Sequence, residues 1–273
     1  MTPRIVLFTD LDGTLLDRET YACDRARPAL DRVRGTRTPL VFCSAKTRAE
    51  QEHLRAELGI PDPFIVEDGG AVFIPERYFA FEYAHDRRIG DFLVIELGRP
   101  YGQIREALDQ IRRETGLPLA GFGDLSVEEV AAATGLNPDS AVRARQREYE
   151  ETVVTPLDDD QARRVRDGLA VRGFRLRHGG RFLGVTGEND KGRAVEALIE
   201  LYRRQSGDLR TVGIGDSAND ASLLAAVDER FLVQKPGGVW EDLSTPGLQR
   251  VDAVGPDGWN RVVLGLLPPV TRG

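Results

Sequence analysis

The chain has little cysteine, little methionine and no excess of positive charge. Cys23 and Cys43 are the only cysteines among 273 residues, too few for a disulfide framework, so the expected setting is the reduced cytoplasm. One methionine and basic residues that are mostly arginine fit heat adaptation and GC-rich coding equally well. No apolar run approaches the roughly 18 residues of a membrane span. The first residues enter strand-like sequence without the basic and apolar regions of a secretion signal. A formal net charge of −7 argues against nucleic acid or an anionic membrane as partner. The chain shows no repeat, low-complexity segment or long linker. At 41% hydrophobic and 30% charged, it suits a globular protein of one and a half or two domains with a sizeable core.

Ile5-Val6-Leu7-Phe8 reads as a buried strand that runs into Asp10-Leu11-Asp12-Gly13-Thr14. Acids two residues apart in extended chain share a face, about 7 Å apart. At the end of a buried strand such a pair is costly unless a divalent metal or a phosphoryl group uses its charge. Alternation continues with a helix over 24–34, a short strand at 39–43 ending in Ser44, and a helix over 46–58 stopped by Gly59 and Pro61. Residues 64–67 and 71–74 flank Asp68-Gly69-Gly70 as a hairpin. This rhythm predicts a doubly wound, mostly parallel α/β sheet.

From about Ala84 the pattern changes. A strand at 92–95, helices over 101–115, 126–135 and 138–145, a strand at 153–154 and a helix over 159–171 follow. A second hairpin is expected around His178-Gly179-Gly180. Residues 85–186 therefore read as an inserted α+β cap domain between core parts 1–84 and 187–273. The opening rhythm returns with a helix from Lys191, a strand at 211–214 and Gly215-Asp216-Ser217-Ala218-Asn219-Asp220. Strand ends of a parallel sheet share one edge, where ligands bind. Asp10, Asp12, Asp216, Asp220, Ser44 and Lys191 are thus expected in one crevice. Hard oxygen ligands beside a phosphate suit Mg²⁺, and Ser44 before a helix start offers free amides to an anion.

These four segments, in this order, resemble the motifs of the haloacid dehalogenase superfamily: Asp-Leu-Asp-Gly-Thr, Ser44, Lys191 and Gly-Asp-Ser-Ala-Asn-Asp. The resemblance implies a Rossmann-like core, Asp10 as nucleophile and Asp12 as proton carrier, kept protonated by neighbouring like charge. It also implies Mg²⁺ on Asp10, the Asp12 backbone carbonyl and Asp216, with Asp220 behind or through water, and Ser44 and Lys191 on the phosphoryl oxygens. Thr14 is expected to steady the loop.

Residues 44–50, 62–75 and 145–151 further resemble the mannosyl-3-phosphoglycerate phosphatase family, which usually has Asn where this chain has Asp68. That family implies a Mg²⁺-dependent phosphatase releasing mannosylglycerate from a phosphorylated sugar-glycerate. Alternatives are glucosyl-3-phosphoglycerate, sucrose phosphate or another sugar phosphate as substrate, a phosphomutase, and a non-enzymatic phospho-sugar sensor. The expected substrate contacts are Ser44, Ala45, Lys46, Thr47, Glu67, Asp68, Gly69, Gly70, Arg145, His178, Arg181, Lys191 and Asn219. Several have plainer readings: Lys46 as a solvated cation in a helix's first turn, 67–70 as a mere turn, Arg145 and Arg147 as surface arginines, His178 as an ordinary turn residue.

Overall fold

In the computed structural model, residues 4–179 and 182–270 are described. The first part of the chain forms β1 (Arg4–Thr9), α1 (Arg27–Thr36), β2 (Leu40–Cys43), α2 (Arg48–Leu58), β3 (Phe64–Val66), β4 (Ala71–Pro75), β5 (Arg87–Ile89) and β6 (Phe92–Glu96). An insertion follows: α3 (Tyr101–Thr115), α4 (Val127–Thr134), α5 (Pro138–Ala144), β7 (Glu150–Val153), α6 (Asp159–Ala170), β8 (Arg175–Gly179) and β9 (Phe182–Thr186). The chain closes with α7 (Lys191–Ser206), β10 (Leu209–Gly215), α8 (Ala221–Ala226), β11 (Glu229–Gln234), β12 (Leu248–Val254) and α9 (Gly255–Leu266).

The core sheet has nine strands in the order β12-β11-β10-β1-β2-β3-β4-β6-β5. β12 through β3 are parallel, and β4, β6 and β5 add antiparallel pairs at one edge. The alternation of β1 is visible in its packing: Leu7 joins Phe42, Phe64 and Trp259 on one face, while Val6 and Phe8 join Val41, Leu198 and Leu224 on the other. β1 lies between β10 and β2, so its C-terminal end opens at the centre of the sheet edge.

The insertion has its own antiparallel sheet, β7-β9-β8. α3 and α6 cover one face of it through Ile104, Leu108, Val165 and Leu169. The first crossing from core to insertion lies later than expected. The strands at 87–89 and 92–96 are hydrogen-bonded into the core sheet through β4, so the boundary expected at 84/85 moves to about residue 98. Their alternating apolar pattern marks a strand but not the sheet it joins. At the crossings, a side chain on Gly187 would meet Arg99, so outgoing and returning chain run side by side. No helix among the described residues is long and apolar enough to cross a membrane.

Candidate active site

β1 ends in buried Asp10, and the backbone there is fixed from below: Trp259 Nε1 donates to Thr9 Oγ1 at 3.0 Å, and Thr9 Oγ1 donates to the Asp10 carbonyl at 2.7 Å. Gly13 turns the chain at φ +91°, and a Cβ there would lie 2.6 Å from Asp216 Oδ2. Glycine therefore answers both the backbone angle and the close approach of an acid.

Lys191 opens α7 and is fully buried. Its ammonium donates to Asp10 Oδ1 and Asp220 Oδ1, both at 2.7 Å, and lies 3.6 Å from Asp68 Oδ1. Burial disfavours its charge, but Asp10, Asp220 and Asp68 outweigh this and hold its pKa well above the usual lysine value. Asp220 Oδ2 accepts from the amides of Asp216 and Ser217. Both Asp220 oxygens are thus engaged in shaping the loop. Asp216 accepts from Ser217 Oγ at 2.8 Å and pairs with Arg18 Nη1 at 2.8 Å.

Asp10, Asp216 and Asp220 form one buried group whose ligand oxygens lie within 4.8 Å of one another. Burial, then Asp220 and Asp216, push Asp10 well above the usual carboxylate range against the pull of Lys191. Burial and Asp220 push Asp216 up to about 6, opposed by Ser217 and Arg18. Three crowded, desolvated carboxylates fit a hard divalent cation, which would relieve both burial and repulsion.

Asp12 stands apart from this group. Its Oδ2 is 3.0 Å from Lys46 Nζ, and its Oδ1 is buried without a hydrogen-bond partner among the described residues. The like-charge crowding of the site lies among Asp10, Asp216 and Asp220. Lys46 precedes α2 rather than sitting in its first turn, packs over the Tyr21 ring and pairs with Asp12 and Glu50. Burial opposes its charge, yet these acids raise its pKa above the ordinary lysine value. Thr14 Oγ1 is buried with no hydrogen-bond partner among the described residues, while its amide donates to the Leu11 carbonyl at 3.1 Å.

Ser44 is buried at the end of β2, and its Oγ accepts from the Lys46 amide at 3.2 Å. Thr47, expected to touch substrate, is the N-cap of α2 in a capping box with Glu50, and its hydroxyl donates to the Arg143 carbonyl. It positions the loop instead.

The 67–70 turn also serves a different purpose from the one expected. Glu67 is fully buried and its carboxylate accepts backbone N–H bonds from Glu148, Tyr149 and Glu150, at 2.7–2.9 Å for the shortest to each. Its oxygens bind the insertion rather than sugar hydroxyls. Gly69 and Gly70 lie against protein as well: a Cβ would meet Asp190 O at 2.1 Å and Tyr149 Cβ at 2.4 Å respectively. Asp68 accepts from Asn219 Nδ2 at 3.2 Å.

These elements enclose a cavity of about 200 Å³ between core and insertion. Asp10, Asp12, Ser44, Ala45, Lys46 and Asn219 line it from the core. From the insertion come Phe122, Arg147, Glu150, Thr152, Phe182 and Gly184. Arg145 is absent from this wall; its Nε donates to the Phe122 carbonyl inside the insertion. Arg147, two residues on, replaces it and reaches the Ala45 carbonyl at 2.8 Å. Arg181 lies outside the described residues, as does the side chain of His178. Sequence reasoning missed Arg18, Glu150 and Thr152. Only the last two carried a readable signal: residues 150 and 152 share one face of a strand.

The family model for haloacid dehalogenase-like hydrolases matches residues 7–96. A Methanococcoides burtonii protein named glucosyl-3-phosphoglycerate/mannosyl-3-phosphoglycerate phosphatase is 44% identical over 96% of this chain and 97% of its own length. A Pyrococcus horikoshii mannosyl-3-phosphoglycerate phosphatase is 36% identical over 84% and 90%. The chain belongs to the haloacid dehalogenase-like hydrolases. Within them it is a phosphoric monoester hydrolase of the group these relatives represent. Among solved structures, a phosphatase of this superfamily from Bacteroides thetaiotaomicron has the same fold, with TM-score 0.67 at 17% identity over 97% of this chain and 95% of its own. The sucrose-phosphatase of Synechocystis does so at TM-score 0.59 and 14% identity over 97% and 98%.

Proposed function

We propose that this enzyme hydrolyses mannosyl-3-phosphoglycerate, and beside it the glucosyl ester, to the hexosylglycerate and phosphate. The observation that carries the reading is the near full-length match to a relative named for both esters. The site supports it: Asp10, held by Lys191, faces a cavity with cations on two sides and aromatic rings on the insertion wall.

In this reading Asp10 attacks phosphorus and becomes an aspartyl-phosphate. The departing glycerate oxygen takes a proton from Asp12, whose buried Oδ1 has no other hydrogen-bond partner among the described residues. Water then gives its proton to Asp12, attacks the aspartyl-phosphate and releases phosphate, regenerating Asp10. Lys191 and the amides after Ser44 hold the phosphoryl oxygens while charge shifts. Asp10 and Asp216, with Asp220 behind them and the Asp12 carbonyl beside them, would hold Mg²⁺, which supplies positive charge to bring nucleophile and phosphate together. Arg147, which lines the cavity, would pair with the glycerate carboxylate.

The test is phosphate release from mannosyl- and glucosyl-3-phosphoglycerate, sucrose phosphate and simple hexose phosphates, with Mg²⁺ and with EDTA. Activity on the two hexosylglycerate esters well above the rest is expected. Even activity across the panel would remove the substrate assignment, and retained phosphate in the product would indicate a mutase.

A further inference from the structure

β7 alternates, so Glu150 and Thr152 face the cavity while Glu151 turns the other way to Tyr101 and Arg105. The Glu150 carboxylate is buried, and its Oε2 has no hydrogen-bond partner among the described residues. Its nearest cation is Arg147, whose Nη1 stands 3.9 Å from Oε1 and is already donating to Ala45. A buried acceptor with no donor is costly unless something in the cavity supplies one.

The neighbouring strand makes room for this carboxylate. Gly184 lies opposite Thr152 in β9, and a side chain there would come within 2.9 Å of Glu150 Oε1. Beside it, Phe122 and Phe182 meet edge to face with centroids 6.1 Å apart, and both line the same cavity. A carboxylate acceptor next to aromatic faces suits a ligand with several hydroxyl donors on an apolar ring skeleton. A hexose has that chemistry.

We propose that Glu150 is a specificity-determining residue, whose carboxyl oxygens accept hydrogen bonds from the hydroxyls of the substrate's hexose. The assignment rests on the hexosylglycerate reading above and names the group that reads the sugar. The Glu150 carboxylate acts on binding, because it faces the sugar and not phosphorus. Phosphoryl transfer from an ester without a hexose proceeds without it.

The experiment compares the wild-type enzyme with Glu150→Gln and Glu150→Leu, using mannosyl-3-phosphoglycerate and p-nitrophenyl phosphate as substrates. Thermal melts confirm that each variant is folded. Glu150→Gln keeps the shape, so it decides the matter if Glu150→Leu does not fold. We expect KM for the hexosyl ester to rise about tenfold in Glu150→Gln and further in Glu150→Leu. Values of kcat/KM for p-nitrophenyl phosphate should stay within about threefold. A folded Glu150→Gln with wild-type KM for the hexosyl ester, or one that loses both substrates in parallel, would overturn the assignment. A wild-type enzyme that does not prefer hexosyl esters would instead overturn the substrate reading on which it rests.

Discussion

Arg147 in the insertion donates from Nη1 to the carbonyl oxygen of Ala45, 2.8 Å away and one residue beyond Ser44. The guanidinium also lies over the Phe122 ring, with 5.6 Å to its centroid. One side chain thus ties the insertion to the expected phosphoryl-binding loop and faces the cavity. Lysine keeps the charge but not the planar fork. Arg147→Lys should lower kcat/KM for the hexosylglycerate esters by about 10- to 100-fold. Steady-state kinetics check this, and an unchanged value would remove Arg147 from substrate binding.

Glu67 joins the same two parts through backbone. Its carboxylate takes N–H bonds from three successive residues, 148–150, although burial pushes its pKa up to about 7 against Arg147 and those amides. Glu67→Ala would leave those donors buried without partners. We expect a loss of about 2–4 kcal/mol of stability, measured by denaturant unfolding. We also expect faster proteolysis near residues 97–100 and 186–188.

The pH dependence of stability should carry a signature of Glu150. Burial raises it to about 8, aided by Asp68 and Glu67 and opposed by Arg147 and Arg177. A carboxyl with a raised folded pKa binds its proton more tightly when folded. Its contribution is therefore full below the unfolded value of about 4.3 and lost as pH rises through about 8. Glu150→Gln removes this dependence. The melting temperature of the variant relative to wild type should climb steadily between pH 5 and pH 8.5, and a flat difference would contradict it.

Metal removal provides a fourth test. EDTA should abolish phosphate release, and Mg²⁺ at 100-fold its dissociation constant should add about 2.7 kcal/mol to stability. Asp216→Asn should remove most of that stabilisation. A thermal melt of the wild-type protein that is indifferent to divalent ions would contradict the carboxylate group as a metal site.

Lys46 supplies a fifth. It lies 3.0 Å from Asp12 and lines the cavity. Lys46→Met should reduce kcat for every phosphate ester by about 10- to 100-fold, because Asp12 acts in both steps of the proposed mechanism. A selective loss on hexosylglycerate esters alone would assign Lys46 to the substrate instead of to Asp12.

The carboxylates, Ser44 and Lys191 were legible in the sequence because parallel strand ends converge on one edge, so chemistry written at several strand ends implies one site. The substrate wall was less legible. Arg145 is the C-cap of α5 and Arg147 lies two residues beyond it, and the turn there decides which faces the cavity. Glu150 and Glu151 are adjacent acids, and only the pairing of β7 with β9 shows both side chains buried. The 67–70 turn was recognised as a turn, but the partner of Glu67 lies 81–83 residues away. β12 was missed because Arg250 and Asp252 interrupt its apolar residues. The edge strands at 87–96 were given to the insertion because an alternating pattern does not name its neighbour.

The central position of β1 has a consequence for synthesis on the ribosome. Its hydrogen-bonded neighbours are β2, a short distance along the chain, and β10, which arrives only after the whole insertion has been made. At about 5–20 residues per second, roughly eight to thirty-five seconds pass between the emergence of these two partners. Throughout that interval one edge of β1, with its apolar side chains, waits for a strand not yet translated. The insertion carries a separate apolar cluster and can begin to pack during the delay. Growth conditions or codon choices that slow elongation between residues 100 and 215 would lengthen this exposure, making it a point in the life of the chain where a chaperone would have most to do.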